Sequence, residues 1–513
     1  MPSAGIDFGT TNSLIVAYDK KRHEFSYFNY DGERPSPTSS TIWYHDSDII
    51  VGTEARQNIH RYSEVEGHHF EKSIKLKLGT EYTANVFGQE TSASMVAAEI
   101  LKHLRKEAIY TWQADKAGVD LRKAVFTVPI NFTGKARRDL REAANEAGIE
   151  VSTFIHEPFA AIVGYYFTRD NSSLNTIISN LQSLDGQYIL TFDWGGGTLD
   201  ITVVKIKDNK MIEVGTSELT GLAGDKFDED IANWAWNKYL DKLGNKYQKE
   251  YLENIKKKKW DRLLAIAERC KIELSEENES LFLMETVIPN EETGIDEILT
   301  RDEFAYLISN TLYSACNKID EAIKMSGIND INISHVLLTG GTCNIPVIQD
   351  KLKEKFGHRV EIIENADLVI AQGAAVVSEM GWMPFLSKDI LLELSDNSYW
   401  PIFNEGMPIS SLEQAKVTEN LTCVDQRQKI AKLIIGEGFG QQKDATLAII
   451  NVPLLGDSRF GDDIYFEAII DKDIILHINA NSKQVYGYGT NENFSKRKHA
   501  EIYKMCFGLS IER

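Results

Sequence analysis

A chain of 513 residues is too long for one ordinary hydrophobic core, and its 42% hydrophobic and 26% charged residues exclude both a disordered polymer and a membrane-embedded one. Its net charge of −20 argues against a general nucleic-acid or anionic-membrane surface. Five widely spaced cysteines (Cys270, Cys316, Cys343, Cys423 and Cys506), with no CxxC pair, predict reduced thiols and not a disulfide or zinc framework.

The opening "MPSAGIDFGTTNSLIVAYD" lacks a basic region and a long apolar run, and no apolar run reaches the roughly 18 residues of a membrane span, so the expected address is the cytoplasm. Within it "GIDFGTTNS" (5–13) predicts a strand, a Gly-Thr turn and a second strand. "KAVFTVPINF" (123–132) reads as a buried strand and the charged stretch 134–148 as a helix. "IEVSTFIHEPFAAIVGYYF" is a strand running into a helix, and "RDNSSLNTIISNLQSLDGQ" (169–187) is expected to be an exposed inserted loop. "TFDWGGGTLD" (191–200) repeats the first motif: strand, Asp, apolar, Gly, Thr, strand. Two copies far apart predict two similar lobes facing each other, not a short-period solenoid. A helical block follows at about 226–271, then "HVLLTGGTCNIPVIQDKLKEKFG" (335–357), again strand, glycine turn and helix. The rhythm predicts α/β layers.

After about residue 384 the texture turns to strands. "DIYFEAIIDKDIILHINANSK" is a hairpin: Ile464, Phe466, Ala468 and Ile470 alternate on one face, and Ile474, Leu476, Ile478 and Ala480 do so after a turn near Asp471–Asp473. The division expected is therefore 1–384 and a small all-β domain at 385–513, in which the stretch after the hairpin is too short for a long helical subdomain.

Glycine turns let backbone N–H groups approach an anion, since no Cβ intervenes. In both hairpins the glycines adjoin hydroxyls (Thr10, Thr11, Thr198) and a carboxylate (Asp7, Asp193). Phosphate suits the donors but is repelled by carboxylates unless a divalent cation lies between them, so the combination points to a Mg-nucleotide. Either loop alone reads equally as a tight hairpin with incidental polar residues; two copies and the third loop "LLTGGT" favour the nucleotide. The sequence contains neither a P-loop nor a Rossmann fingerprint nor HExxH.

"IDFGTTNS", "FTVPINF", "IHEPFAA", "FDWGGGTLD", "VLLTGGTCNIP" and "AQGAA" resemble, in order and spacing, the heat-shock protein 70 chaperones of the actin-like ATPase superfamily. The resemblance covers about 3–382, and more weakly 390–482. It implies a two-lobed ATPase domain of duplicated ribonuclease H-like lobes followed by a β-sandwich that binds extended polypeptide. Carried over residue by residue, it places Gly9, Thr10, Thr11 and Asn12 in one phosphate loop and Gly195, Gly196, Gly197 and Thr198 in the other. Asp7 and Asp193 fall beside Mg²⁺, through water, and Lys75 falls against the γ-phosphate with Glu157 orienting the attacking water. Gly224, Glu268, Lys271, Ser275, Gly340, Gly341, Asn344 and Asp367 fall around the nucleotide. The implied cofactors are ATP or ADP with Mg²⁺, and K⁺ as a further candidate; the implied partners are a polypeptide client, a J-domain cochaperone and a nucleotide-exchange factor.

Each residue also has a plainer reading. Lys75 is one of three lysines in residues 72–77, Glu157 could cap the helix it precedes, and Pro129 and Arg137 read either as interlobe switch residues or as a strand end and a solvated charge. Departures from the family pattern are Asn344 where the family stacks an arginine on adenine, Thr153 where it presents an arginine to J-domains, and the missing helical lid, which predicts fast client exchange. "KDILLEL" (388–394) fits either the family's docking linker or the first strand of the β domain. Beside the chaperone reading stand a nucleotide-dependent scaffold or switch with weak or no turnover, and a small-molecule kinase of the same superfamily.

Overall fold

The computed structural model describes residues 3–512 except 64, 115–117, 170–173, 290, 364, 410–415, 423–427, 441, 456–462 and 487–490, so Cys423 lies outside the described residues. The other four cysteines are free thiols, and no described helix is long and apolar enough to cross a membrane.

Two sheets repeat one pattern. In the first, Ser3–Phe8 pairs antiparallel with Asn12–Asp19, which pairs antiparallel with Glu24–Tyr27; on its other side Ser3–Phe8 runs parallel to Asp120–Val128, and that strand parallel to Glu150–His156. In the second, Tyr188–Trp194, Thr198–Lys207 and Lys210–Thr220 form the same meander, with Ile333–Thr339 and Val360–Ile362 as the parallel pair. The last four residues of Asp120–Val128, Glu150–His156 and Ile333–Thr339 are all buried because helices cover both faces of the sheets. The duplicated motif thus marks two equivalent hairpins, one per lobe.

The lobes join through two helices. Glu157–Arg169 follows the first lobe's last strand, and Val369–Met380 follows the second's; their side chains share one core with residues of both sheets, Val16, Ile189 and Leu337 among them. Close approach sets the glycines here: a Cβ on Gly373 would strike the carbonyl of Ala160, and one on Gly164 that of Val369.

Residues 174–182 correct the expectation of an exposed loop. Leu174–Gln182 is a helix, and Ile177 and Leu181 are buried against the shared core. Leu174, Ile177, Ile178 and Leu181 recur at helical spacing, a signal that the flanking Asn and Ser residues obscured. The block at 226–271 is two helices, Gly224–Leu243 and Lys249–Glu276.

The C-terminal sandwich stacks a four-stranded sheet, in which Asp389–Glu393 lies between Tyr399–Phe403 and Ile430–Phe439, on a second sheet built around Asp463–Ile470 and Leu476–Tyr486. Ile390, Ile435 and Val452 from one sheet and Phe466, Ala468 and Ile478 from the other fill one core. This resolves 388–394: its apolar residues are the first sandwich strand. Ile474 is buried in this core with Leu476, Ile478 and Ala480 as expected, but it sits in the turn at φ 57°, and the second strand starts at Leu476.

The last strand departs from the expectation that everything after 385 stays in the β domain. Phe507–Ser510 leaves the sandwich and enters the second lobe's sheet between Lys210–Thr220 and Met383–Leu386. Leu509 and Ile511 are buried in the core shared by the lobes while Phe507 still packs in the sandwich core, a split that a chain-order division could not anticipate. The chain therefore crosses between second lobe and sandwich twice, side by side, with Ser387 N–H donating to the Cys506 carbonyl at 3.2 Å.

The sandwich also rests on the first lobe. Arg137, 2% exposed, donates to the carbonyls of Phe132 (2.5 Å), Asp473 (2.7 Å) and Ile474 (3.2 Å). Burial lowers its guanidinium to about 10. Arg141 Nε meets Asp473 Oδ1 at 2.6 Å, and its other nitrogens donate to the Val151 and Lys472 carbonyls. The solvated-charge reading of Arg137 is overturned: it and Arg141 grip the 471–475 turn of the sandwich.

Candidate active site

A cleft of about 800 Å³ opens between the lobes. Its floor is made by the two matched hairpins. Strand pairing sets Asp7 opposite Leu14 and beside Thr127, and Asp193 opposite Asp200 and beside Thr339, so each lobe delivers a carboxylate at the end of its central strand.

The turns then meet tip to tip. A Cβ on Gly196 would strike Thr11 Oγ1 of the other lobe, and one on Gly197 would lie 3.2 Å from Thr10 Cγ2. None of Gly195, Gly196 and Gly197 needs a left-handed backbone; Gly196 and Gly197 are glycine for room, whereas a Cβ on Gly195 would meet only the Thr198 carbonyl at 3.8 Å. Gly340 differs, having φ 81° and a Cβ position 2.6 Å from Asp193 Oδ1. Its loop is tied to the second hairpin by Thr342 Oγ1 donating to the Gly195 carbonyl at 2.8 Å.

Lys75 rises into this floor from the short 3-10 turn Ile74–Lys77 and forms a 2.6 Å ion pair with Glu157, the first residue of its helix. Both are buried, at 5% and 7% exposure. Burial would lower the ammonium, but Glu157, Asp7 and Asp193 outweigh it and hold Lys75 above its ordinary value. Burial pushes Glu157 up to about 7 and Asp200 to about 6, and it raises Asp193 well above the carboxylate range, with Glu157, Asp200 and Asp7 adding to that rise. Glu157, Asp193 and Asp200 are thus held above their ordinary values around one lysine, and further positive charge entering the cleft would favour their ionised forms. With glycine amides and threonine hydroxyls in the same cleft, the donor set fits an anion and a divalent cation bound together.

Of the residues expected here, Asp7, Gly9, Thr10, Thr11, Asn12, Lys75, Glu157, Asp193, Gly195, Gly196, Gly197 and Thr198 line the cleft, as do Glu268, Lys271, Ser275, Gly340, Gly341, Asn344 and Asp367. Gly224 does not: it lies behind the second hairpin, its N–H donating to the Gly195 carbonyl at 3.1 Å, where a Cβ would crowd Thr342. Lys271 is engaged by Asp228 at 2.8 Å and the Gly224 carbonyl at 2.9 Å.

Two cross-cleft pairs escaped the sequence. Arg56 bonds Glu268, and Arg34 meets Asp367 at 3.2 Å, each joining one lobe to the other over the mouth. Nothing local marks either arginine, because the partners are brought together only by lobe closure. Asp200, also missed, was within reach: it follows Thr198 by two in the same strand, hence on the same face.

Fold and cleft together define a two-lobed, actin-like protein in which one glycine-turn hairpin from each lobe faces the interlobe cleft. Comparison with known proteins makes the assignment narrower. The Hsp70 protein family matches residues 3–396. The chaperone protein DnaK of Mycoplasma mycoides is 31% identical over 376 residues, 72% of this chain and 58% of that one. The DnaK of Thermosipho melanesiensis is 28% identical over 499 residues, 93% of this chain and 77% of that one. This chain belongs to the Hsp70 family. It spans 58% of the length of the Mycoplasma mycoides relative.

Proposed function

We propose that this protein binds Mg-ATP in the interlobe cleft, hydrolyses it, and couples the nucleotide state to binding of extended polypeptide by the sandwich. One observation carries the reading: two equivalent hairpins, one per lobe, meet over a buried lysine–glutamate pair among carboxylates.

In this scheme the Gly9–Asn12 and Gly195–Thr198 turns supply N–H and O–H donors to phosphate oxygens. Asp7, Asp193 and, by position, Asp200 are the residues to hold Mg²⁺, which supplies neutralisation of the phosphate charge. Lys75 stands where it can offset charge on the transferring phosphoryl group. Glu157, paired with Lys75, is placed to orient water. The work is positioning and charge compensation, with little covalent chemistry for the protein to do.

Coupling has a physical route. The sandwich is held by the first lobe through Arg137 and Arg141 and by the second through the paired strands Met383–Leu386 and Phe507–Ser510. A rotation of one lobe against the other strains one of these attachments. Thr153, where the family presents an arginine, is buried, so a J-domain partner would need other contacts.

The test is ATP turnover with and without Mg²⁺, extended peptides and J-domain proteins. Peptide-stimulated, Mg²⁺-dependent turnover is expected; turnover indifferent to peptide would sink the coupling. The mouth pairs make a separate prediction. Each is partly exposed and worth about 0.2–1 kcal/mol, so Arg34→Ala with Arg56→Ala should speed nucleotide release by about two- to thirtyfold, read by stopped-flow with a fluorescent nucleotide.

A further inference from the structure

We propose that His477, His499 and Glu501 form a site for a zinc-type divalent cation on the sandwich, beside its contact with the first lobe. The three offer ligand atoms within 4.8 Å of one another. The strand register makes this rigid: His477 lies opposite Glu501 and Asn479 opposite His499 on adjacent antiparallel strands, so all four side chains share one face.

The hydrogen bonds around the rings decide which nitrogens face inward. His477 Nε2 lies 2.8 Å from Asp471 Oδ2, an acceptor, so the ring proton belongs on Nε2 and Nδ1 presents a lone pair. Asn479 donates its amide to Glu467 at 3.0 Å, which turns its oxygen towards His499 Nδ1 at 2.9 Å. That places the second ring's proton on Nδ1 and leaves its Nε2 bare. Both bare nitrogens face the same oxygen, Glu501 Oε1, at 3.5 and 3.7 Å. Glu501 Oε2 is already taken by the Tyr503 hydroxyl.

Three lone-pair atoms thus converge at separations too long for hydrogen bonds and repel one another unless positive charge lies between them. The two nitrogen–oxygen spacings are close to the roughly 3.3–3.5 Å that separates ligand atoms sharing a tetrahedral ion with metal–ligand bonds of about 2.0–2.2 Å, and the two nitrogens lie within 4.8 Å of each other. Asp471 and Asn479 are the outer acceptors that orient metal-bound imidazoles. His499, half exposed, leaves room for water as a fourth ligand. Arg138 of the first lobe reaches the same Oε1 at 3.6 Å, so cation and arginine compete for it, and occupancy is linked to docking of the sandwich.

The experiment titrates the full chain, nucleotide-free and stripped with a chelator, with Co²⁺ alone and then Zn²⁺ alone. One equivalent of Co²⁺ with visible d–d absorption, displaced by Zn²⁺, is expected. His499→Gln, at a half-exposed position, should weaken binding by about 100-fold or abolish it, with circular dichroism unchanged. Arg138→Ala should tighten it by about two- to fivefold by removing the competing charge. Wild-type protein that takes up no cation, as it would if these rings exchange only protons, overturns the proposal. So does a His499→Gln variant that binds Co²⁺ as wild type does.

Discussion

Lys75→Met is expected to lower ATP turnover by about 10²–10³-fold, some 3–4 kcal/mol of barrier, while leaving nucleotide binding nearly intact. The lysine is buried beside Glu157, Asp7 and Asp193, and it meets Glu157 at 2.6 Å. The phosphate-facing donors of the two glycine turns are backbone and hydroxyl groups that the substitution does not touch, so binding should survive. Methionine keeps most of the apolar stem and removes only the charge. Single-turnover hydrolysis and equilibrium nucleotide binding, measured side by side, separate the two effects. Unchanged turnover would remove Lys75 from the chemistry. Absence of turnover in the wild type, with nucleotide-dependent docking kept in both proteins, would instead favour the switch reading.

Arg141→Met should cost about 3–5 kcal/mol of stability and release the sandwich from the first lobe. The Arg141–Asp473 side chains are 9% and 5% exposed, and the guanidinium also serves two carbonyls and lies 5.0 Å from the Phe154 ring centroid. Removing it takes away the hydrogen-bonded ion-pair partner of a buried carboxylate and leaves only the charge of Arg137 nearby, whereas a surface pair lost in the same way costs less than about 1 kcal/mol. The double variant Arg141→Met with Asp473→Leu should recover much of the loss, because neither charge is then left alone. Urea unfolding gives the energies, and limited proteolysis at the sandwich boundary reports undocking. A single-variant loss below about 1 kcal/mol would show that this pair does not hold the interface.

Much of the fold was legible because its signals are local or periodic. The duplicated Asp-Gly-Thr hairpins, the alternation of Ile464, Phe466, Ala468 and Ile470, and the strand-to-helix passage at Glu157 each declare themselves within a short window. Those windows also contain most of the cleft, since a hairpin places its carboxylate and hydroxyls by strand register alone. The helix at Leu174–Gln182 was legible too, but its spacing was masked by polar neighbours.

What the amino-acid order could determine by itself was the two-lobed plan and the chemistry at each hairpin tip. Only the tertiary structure decided that the tips meet, that Arg34 and Arg56 close the mouth, and that Arg137 and Arg141 are buried and not solvated. It also decided that Phe507–Ser510 belongs to the second lobe's sheet and that His477 and His499 share one carboxylate oxygen. The reason is common to all of these. Each is a pairing between segments remote in the chain, fixed by which surfaces become close when lobes and sandwich pack, and no local pattern of residues encodes the partner.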